Sequence, residues 1–464
     1  MPIQSLLIIG GGPGGYAAAL EAAQRKIAVT LVDSHEIGGT CLNRGCIPSK
    51  FFLSKAKQVA DAQHLSASGI ELHLEKVRMG TLVNQKNDIL TTLRQRMEQA
   101  CKAGSIKRVT GKAHFLSPKE IEVVSASGGT QKLTADAILL ATGSSPVLPK
   151  VFPKHPAIFS STSILDMEHL PAHLGVVGGG YIGCELACAF HGLGSKVTLI
   201  EKEPRLLPTQ AEFEAAGTIL QRSFEKRGMT VWTKTTVDAV TPVDDHHLKI
   251  KCSNGETIEA NALLLALGRA PALLDLNIDG AGLALENGRP KINASMQTNI
   301  SHIYAIGDLV SPLPLAHVAA REAHIAVAHM TGEKAAMDYP SIPRCVYTWP
   351  EAAAVGLTEA EALKAGFSPR MDRYHYAANS KALIEGETEG LWMIVTDSKT
   401  RKILGGQIVG THATELIHLL SLSIKAGLTV DQIADTVFAH PSLSESFGEA
   451  MQRNLAASAK KVSS

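Results

Sequence analysis

The sequence predicts an α/β protein of two dinucleotide-binding units followed by a smaller α+β domain. Three observations carry this reading. A G-x-G-x-x-G motif (Gly10, Gly12, Gly15) stands between an apolar run and an Ala-rich stretch. The motif recurs at Gly178, Gly180 and Gly183. After Pro343 the texture changes to strand-like and helical segments with no glycine fingerprint. At 464 residues the chain is too long for one hydrophobic core and is expected to hold about three domains.

Leu6-Leu7-Ile8-Ile9 reads as a strand, Tyr16 to Arg25 as a helix, and Ala28 to Val32 as a second strand closed by Asp33. Gly10 makes the tight turn. Gly12 lets the backbone approach a pyrophosphate, and Gly15 lets helix and strand pack closely. Asp33 is placed to accept from ribose hydroxyls. The second copy runs Leu174 to Val177, the glycines, a helix, then Lys196 to Ile200 closed by Glu201. Asp33 and Glu201 each follow the first glycine of their motif by 23 residues. Two Rossmann-like units imply two dinucleotides, and the economical pairing is FAD with a nicotinamide cofactor.

Each copy has a later apolar strand ending in a small-residue turn. These are Ala137 to Leu140 before Ala141-Thr142-Gly143-Ser144, and Ala262 to Leu265 before Ala266-Leu267-Gly268-Arg269. Pro146, Pro149, Pro153 and Pro156 lie in the connection, a linker signal. Ile303 to Asp308 reads as a third strand and turn. It is either another βα turn or the place where Asp308 meets a ribityl hydroxyl of the first nucleotide. In the second case the chain crosses to the second unit and returns. Past Pro343, strands are expected over 390–396 and 402–410, with helices from Glu415 and Val430.

The stretch Gly38 to Lys50 holds Cys41 and Cys46. In a regular helix residues five apart stand about 7.5 Å apart along the axis and about 140° around it. That is too far and too misaligned for a disulfide, so a bonded pair requires a bend, which Asn43, Gly45 and Pro48 permit. A redox-active disulfide, two small buried hydrophobes and a metal site are the three readings. No second Cys pair or His cluster lies near to complete four metal ligands. Near the C-terminus, His440 and Glu445 flank a Pro turn. They form either a hydrogen-bonded acid–base pair or a surface His beside a helix N-cap.

Composition narrows the function classes. Lys+Arg is 45 against Asp+Glu 44, a net charge of +1, with no broad basic patch to suggest nucleic acid. No apolar run reaches about 18 residues, so no membrane span is expected. The chain enters its first strand without a charged leader, so no targeting peptide is expected. Cys101, Cys184, Cys188, Cys252 and Cys345 are scattered and read as core residues. A reducing, cytoplasmic compartment is expected, where turnover would keep the Cys41/Cys46 pair oxidised.

In order along nearly the whole chain, several segments resemble the pyridine nucleotide–disulfide oxidoreductases. They are the Gly10/Gly12/Gly15 fingerprint, Gly38 to Lys50, Thr142-Gly143-Ser144, Gly178 to Glu185, Ile306-Gly307-Asp308 and His440 to Glu445. Cys-Leu-Asn-x-Gly-Cys-Ile-Pro-Ser-Lys and Val346 to Glu351 look like the members that oxidise dihydrolipoamide. The resemblance implies a homodimer passing electrons from protein-bound dihydrolipoamide through a Cys41–Cys46 disulfide and FAD to NAD⁺. It implies that Cys41 exchanges with substrate sulfurs and Cys46 faces the flavin. Lys50 would lie near the flavin, paired with Glu185. His440, held by Glu445 and supplied to the partner subunit, would take the proton. Gly10, Gly12, Gly15, Asp33, Lys50, Ala113, Thr142, Gly143, Ser144 and Asp308 would hold FAD, with Leu315, Ala316 and His317 beneath its ring. Gly178, Gly180, Gly183, Glu185, Glu201, Val237 and Gly268 would serve NAD. No metal is implied.

The domains implied are FAD-binding (1–148), NAD-binding (149–270), a return to the first unit (271–343) and a dimerisation domain (344–464). The partners implied are lipoyl domains and the acyltransferase core of 2-oxo-acid dehydrogenase complexes. Four positions depart from the family's usual pattern. Arg44 stands for Val, Asp33 for Glu, Phe438 for a frequent His, and Pro314 for a frequent Met. If Arg44 faces the sulfurs, it is expected to lower a thiol pKa. Glu201 favours NAD over NADP, with Lys202 and Arg205 nearby as counter-signals. A glutathione-type reductase, the nearest rival, would need Arg residues to hold the NADP phosphate. The tail lacks the second Cys pair of a mercuric reductase.

Overall fold

A computed structural model describes residues 3–65, 69–72, 75–209, 211–273 and 276–462. The chain opens with β1 (Ser5–Ile9), α1 (Pro13–Gln24) and β2 (Ala28–Asp33). Leu6 to Ile9 are buried on both faces, as a strand inside a parallel sheet must be. Next come α2 (Gly39–Arg44), α3 (Cys46–Leu65), α4 (Met79–Ala103) and β3 (Lys107–Thr110). An antiparallel trio, β4 (Lys112–Ser117), β5 (Glu120–Val124) and β6 (Thr130–Leu133), precedes β7 (Ala137–Leu140) and β8 (Ser144–Pro146).

The second unit repeats the plan with β9 (Ile158–Ser160), β10 (His173–Val177), α5 (Tyr181–Leu193), β11 (Lys196–Ile200), α6 (Glu214–Lys226) and β12 (Thr230–Trp232). Its antiparallel trio is β13 (Val237–Asp244), β14 (His247–Cys252) and β15 (Thr257–Ala260), followed by β16 (Ala262–Leu265) and β17 (Arg269–Pro271). Strand β17 pairs antiparallel with β8 and ties the two units together. The hairpin β18 (Leu285–Glu286) and β19 (Arg289–Pro290) leads to β20 (Ile303–Ala305) and α7 (Ala316–Met330).

The two parallel sheets run β20-β7-β1-β2-β3 and β9-β16-β10-β11-β12. Position for position they match, yet the outer strand beside β7 or β16 comes from opposite directions of the chain. Strand β9 precedes its unit, whereas β20 pairs with β7 only after the whole second unit has been built. The return crossing expected from Ile303 to Asp308 is therefore present. The strand ends at Ala305, and Gly307–Leu309 is a 3₁₀ turn with Gly307 at φ +69°.

The C-terminal part contains β21 (Arg344–Val346), β22 (Glu351–Gly356), α8 (Glu359–Lys364), β23 (Pro369–His375), α9 (Ser380–Glu385), β24 (Leu391–Asp397) and β25 (Ile403–Gly410). Helices α10 (Ala413–Ala426), α11 (Val430–Asp435) and α12 (Glu445–Val462) complete it. Its sheet is antiparallel, in the order β21-β22-β25-β24-β23. Trp392 of β24 stacks on Phe447 of α12 (5.9 Å, 14°) at the centre of this core. The helix expected from Glu415 starts two residues earlier, at Ala413.

The repeated glycines show why the two units share one geometry. Gly10 and Gly178 hold φ +107° and +108°, a left-handed region that favours glycine. A Cβ on Gly15 would stand 1.8 Å from the Gly10 carbonyl oxygen, and one on Gly183 the same distance from that of Gly178. Nothing lies within 4 Å of a Cβ added to Gly180. Gly183→Ala is accordingly expected to destabilise the protein by about 2 kcal/mol or more. Gly180→Ala should cost about 1 kcal/mol or less. Urea denaturation of both variants checks the contrast.

Candidate functional site

Cys41 lies on α2 and Cys46 opens α3. The break between them is at Gly45 (φ −149°, ψ −105°). Of the three residues that permit a bend, Gly45 alone leaves the helices. Asn43 instead staples α2, its amide donating to the carbonyls of Ile37 and Gly39 at 3.0 Å each. Pro48 falls in the first turn of α3, where a missing N–H costs nothing.

Both sulfurs are half-buried. The two are unequal. The hydrogen bond from Cys41 pulls the Cys46 thiol down to about 7, with burial opposing and the Lys50 charge assisting. The Cys41 thiol is pushed up, by that same hydrogen bond and then by burial. Cys46 also stands at a helix N-terminus, where a thiolate is favoured. These directions make Cys46 the more acidic thiol of the reduced pair, the one that carries the charge when the two hold a single proton.

Lys50 is one helical turn beyond Cys46. Its Nζ lies 2.6 Å from Glu185 Oε2 and 4.5 Å from the Tyr347 ring centre. Burial works against the ammonium, but the Glu185 charge and hydrogen bond outweigh it and raise the Lys50 pKa. Glu185, on α5 and only 5% exposed, accepts from the Tyr347 amide with its other oxygen at 3.1 Å. The expected Lys50–Glu185 pair is present. Tyr347 completes it; the Val346 to Glu351 motif marked its segment, but nothing in the sequence signalled this contact. Arg44 does not face the sulfurs. Its guanidinium turns to Glu36 at 3.8 Å, so the condition for its lowering a thiol pKa is not met.

His440 Nδ1 and Glu445 Oε1 are 2.9 Å apart. Glu445 is the first residue of α12, and its Oε2 accepts from the Ser442 amide at 2.6 Å. That amide, ahead of the His440 contact, holds the Glu445 carboxyl below its usual range despite some burial. The His440 side chain is 72% exposed. No hydrogen bond or ion pair joins it to α2 or α3 among the described residues.

The two acids behind the glycine motifs make matching contacts. Asp33 accepts from the Gly11 amide at 2.5 Å and from the His35 amide at 3.0 Å. Glu201 accepts from the Gly179 amide at 2.5 Å and from the Glu203 amide at 2.8 Å. Each carboxylate thus braces the loop that would cradle a pyrophosphate, with the faces of Gly12 and Gly180 open at helix N-termini. These features fit two dinucleotides. A cleft of 780 Å³ extends beyond Asp33, lined by His35, Glu36, Arg94, Arg108 and Thr110 among others. Arg205 is turned onto its own loop, donating to the carbonyls of Leu206, Leu207 and Pro208.

Asp308 accepts from the Ser144 hydroxyl at 2.5 Å. Arg269 donates to the Ser144 hydroxyl (2.7 Å) and carbonyl (2.6 Å) and stands 3.9 Å from Asp308. Arg269 is a site neighbour that sequence reasoning passed over. Its one signal was the repeated strand-and-turn ending in Gly268-Arg269. The Thr142 hydroxyl donates to the Ala272 carbonyl at 2.9 Å, and Gly143 and Gly268 hold positive φ in the turns that lead into β8 and β17. Ala113 is buried in β4 and Val237 begins β13, at corresponding places in the two antiparallel trios. Leu315 precedes α7 as its N-cap, Ala316 opens it, and His317 Nε2 lies 2.9 Å from the Pro343 carbonyl. Among the scattered cysteines, Cys101, Cys184, Cys188 and Cys252 are buried, while Cys345 is half-buried. Among the described residues no group of His, Cys, Asp and Glu could hold a metal ion, and no helix is long and apolar enough to cross a membrane.

The ordering of these charges predicts how the reduced pair titrates. Lys50→Met should move the Cys46 midpoint from about 7 upward toward the ordinary thiol value of about 8.5. Glu185→Gln should move it down, because the Glu185 charge opposes the thiolate. Arg44→Val should leave it unchanged. Ultraviolet thiolate absorbance against pH, referenced to Cys46→Ser, reads all three.

Comparison with known proteins agrees with this geometry. Residues 4–323 match the pyridine nucleotide-disulphide oxidoreductase family, and residues 342–451 match that family's dimerisation domain. The chain is 37% identical over 462 residues to a dihydrolipoyl dehydrogenase of Thermus scotoductus, covering 97% of each chain. It is 36% identical over 447 residues to that of Chlamydia pneumoniae, covering 96% of this chain and 95% of the relative. The crystal structure of LpdA from Mycobacterium tuberculosis superposes with a TM-score of 0.89 at 28% identity, covering 97% of this chain and 99% of that one. With two motif-bearing parallel sheets, a neighbouring thiol pair on α2 and α3 and matches over both parts, the chain belongs to the pyridine nucleotide–disulphide oxidoreductase family.

Proposed function

We propose that this chain oxidises protein-bound dihydrolipoamide to lipoamide, using FAD and NAD⁺. The observation that carries the reading is the thiol pair on α2 and α3, with Cys46, the more acidic of the two, at the start of α3 one turn from the Lys50–Glu185 ion pair. The dihydrolipoyl dehydrogenases that match almost end to end supply the substrate class.

The steps assigned to the chain follow from that asymmetry. In the oxidised form Cys41 and Cys46 share a disulfide. A substrate thiolate attacks the Cys41 sulfur, the Cys41–Cys46 bond breaks, and Cys46 leaves as a thiolate. A low thiol pKa makes it the better leaving group. The second substrate sulfur then attacks the first, closing lipoamide and releasing Cys41, which takes up one proton. His440, oriented by Glu445, takes the other proton. Two electrons now reside on the dithiol, in the protonation state described above. Bound FAD supplies the two-electron chemistry that links the dithiol to NAD⁺. Lys50, held by Glu185 and Tyr347, keeps a fixed positive charge beside the Cys46 thiolate throughout.

FAD is assigned to Gly10, Gly12, Gly15, Asp33, Lys50, Ala113, Thr142, Gly143, Ser144 and Asp308, with Leu315, Ala316 and His317 beneath. NAD is assigned to Gly178, Gly180, Gly183, Glu185, Glu201, Val237 and Gly268. Glu201 disfavours a ribose phosphate, and Arg205 is committed to its own loop carbonyls. Lys202, the other cation weighed as an NADP signal, is exposed and stands 3.6 Å from Glu203. The exposed His440, remote from its own thiols in bonding terms, supports a site completed by a second subunit, in keeping with the dimerisation domain. The domain frame of 1–148, 149–270, 271–343 and 344–464 is kept on this reading. So are lipoyl domains and an acyltransferase core as partners, in a cytoplasmic setting.

Steady-state oxidation of dihydrolipoamide with NAD⁺ or NADP⁺ tests the proposal. Turnover should be NAD-selective and should disappear in Cys46→Ser. A Cys46→Ser enzyme that still oxidised the dithiol, or wild type preferring glutathione disulfide with NADPH, would overturn it.

A further inference from the structure

A glycine inside a helix costs about 1 kcal/mol relative to alanine. Helix α12 nevertheless carries Gly448 as its fourth residue. The reason lies in the loop before the helix. A Cβ at Gly448 would stand 2.7 and 2.8 Å from Cδ2 and Cε2 of Phe438. The Phe438 ring thus rests where any larger residue would place its side chain. It also packs edge-on against Phe447 at 6.5 Å, and Phe447 is stacked on Trp392 in the core.

Phe438 is two residues ahead of His440. On the other side of His440, Leu443 is 7% exposed in the same core, and Asn379 Nδ2 donates to the Ser442 carbonyl at 3.0 Å. Val437, by contrast, is 93% exposed. The loop carrying His440 is therefore pinned to the fold on both sides, and Phe438 is the upstream pin. The helix that seats its ring also supplies Glu445.

We propose that Phe438, seated on Gly448, is a positioning residue for His440. It fixes the base loop to α12 and so fixes the imidazole against Glu445. The inference rests on the reading of His440 as the proton acceptor for the dithiol. Among the described residues, the ring contacts of Phe438 are with Phe447 and the Gly448 face, not the chain's own cysteine pair or glycine loops, so its effect is expected on the dithiol half of turnover.

The test compares two activities of the same holoenzyme, dihydrolipoamide oxidation by NAD⁺ and NADH oxidation by an artificial acceptor. Phe438→Ala should lower kcat for dihydrolipoamide by roughly 10-fold to 100-fold. NADH oxidation by the artificial acceptor should stay unchanged. Phe438→Leu should recover part of the loss, and Gly448→Ala, which displaces the ring, should reproduce it. If Phe438→Ala does not fold, Gly448→Ala and Phe438→Leu carry the same comparison. Equal losses in both activities, or no loss in either, would overturn the positioning role. His440→Gln is run alongside. If that variant keeps full dithiol turnover, the reading of the base fails; if it loses turnover while Phe438→Ala does not, only the present inference fails.

Discussion

The ion pair between Lys50 and Glu185 is the contact on which the site depends. It joins α3, which starts at the thiolate cysteine, to α5, which starts at the second glycine motif. Glu185 is buried, and an unpaired carboxylate there would be costly. Its two oxygens are satisfied by Lys50 and by the Tyr347 amide, which enters from the C-terminal part. One carboxylate thus draws together three stretches of chain far apart in sequence. The same arrangement places a permanent cation beside Cys46, so the contact that holds the parts together also biases the sulfur pair.

The duplicated unit shows how one local geometry serves two sites. In each copy the first glycine adopts a left-handed conformation, and the last lets the helix close onto the preceding turn. The acid at the end of the second strand does more than wait for a ribose. It already accepts two backbone amides, one of them from the glycine loop itself. Loop shape and charge at the cradle are therefore held by the chain's own hydrogen bonds, and preorganisation of this kind lowers the ordering cost of binding. The copies differ in where their outer strand comes from. That difference makes the chain leave the first unit and return to it, bringing Asp308 onto Ser144.

The C-terminal part answers a different need. Its His440 is exposed and held by one carboxylate, while the flanking loop is anchored by Phe438 and Leu443. An exposed imidazole on a pinned loop suits the proposed role of His440, in a site completed by a second subunit. Helix α12 combines both jobs, since its first residue binds the imidazole and its fourth seats the ring that anchors the loop.

By itself the sequence left open the bend between Cys41 and Cys46, the return of the chain at Ile303 to Asp308 and the His440–Glu445 pair, which the structure decided; what it determined was the two motif-bearing units and their carboxylates. These are local. Glycine positions, short spacings and strand-to-turn transitions are written within a few residues of one another, and backbone sterics read them without the rest of the fold. Only the tertiary structure decided the remainder. Arg44 lies between the cysteines in sequence, yet its side chain turns to Glu36. Tyr347 and Arg269 lie in segments that the sequence marked, yet their contacts with Glu185 and Ser144 are long-range and no local pattern signals them. Arg205 was an ambiguous phosphate signal until its loop was seen to fold back onto it. The seat of Phe438 on Gly448 needs a loop and a helix placed against each other. Side-chain direction and long-range pairing are set by what packs nearby in space, and single-sequence periodicity does not carry that information.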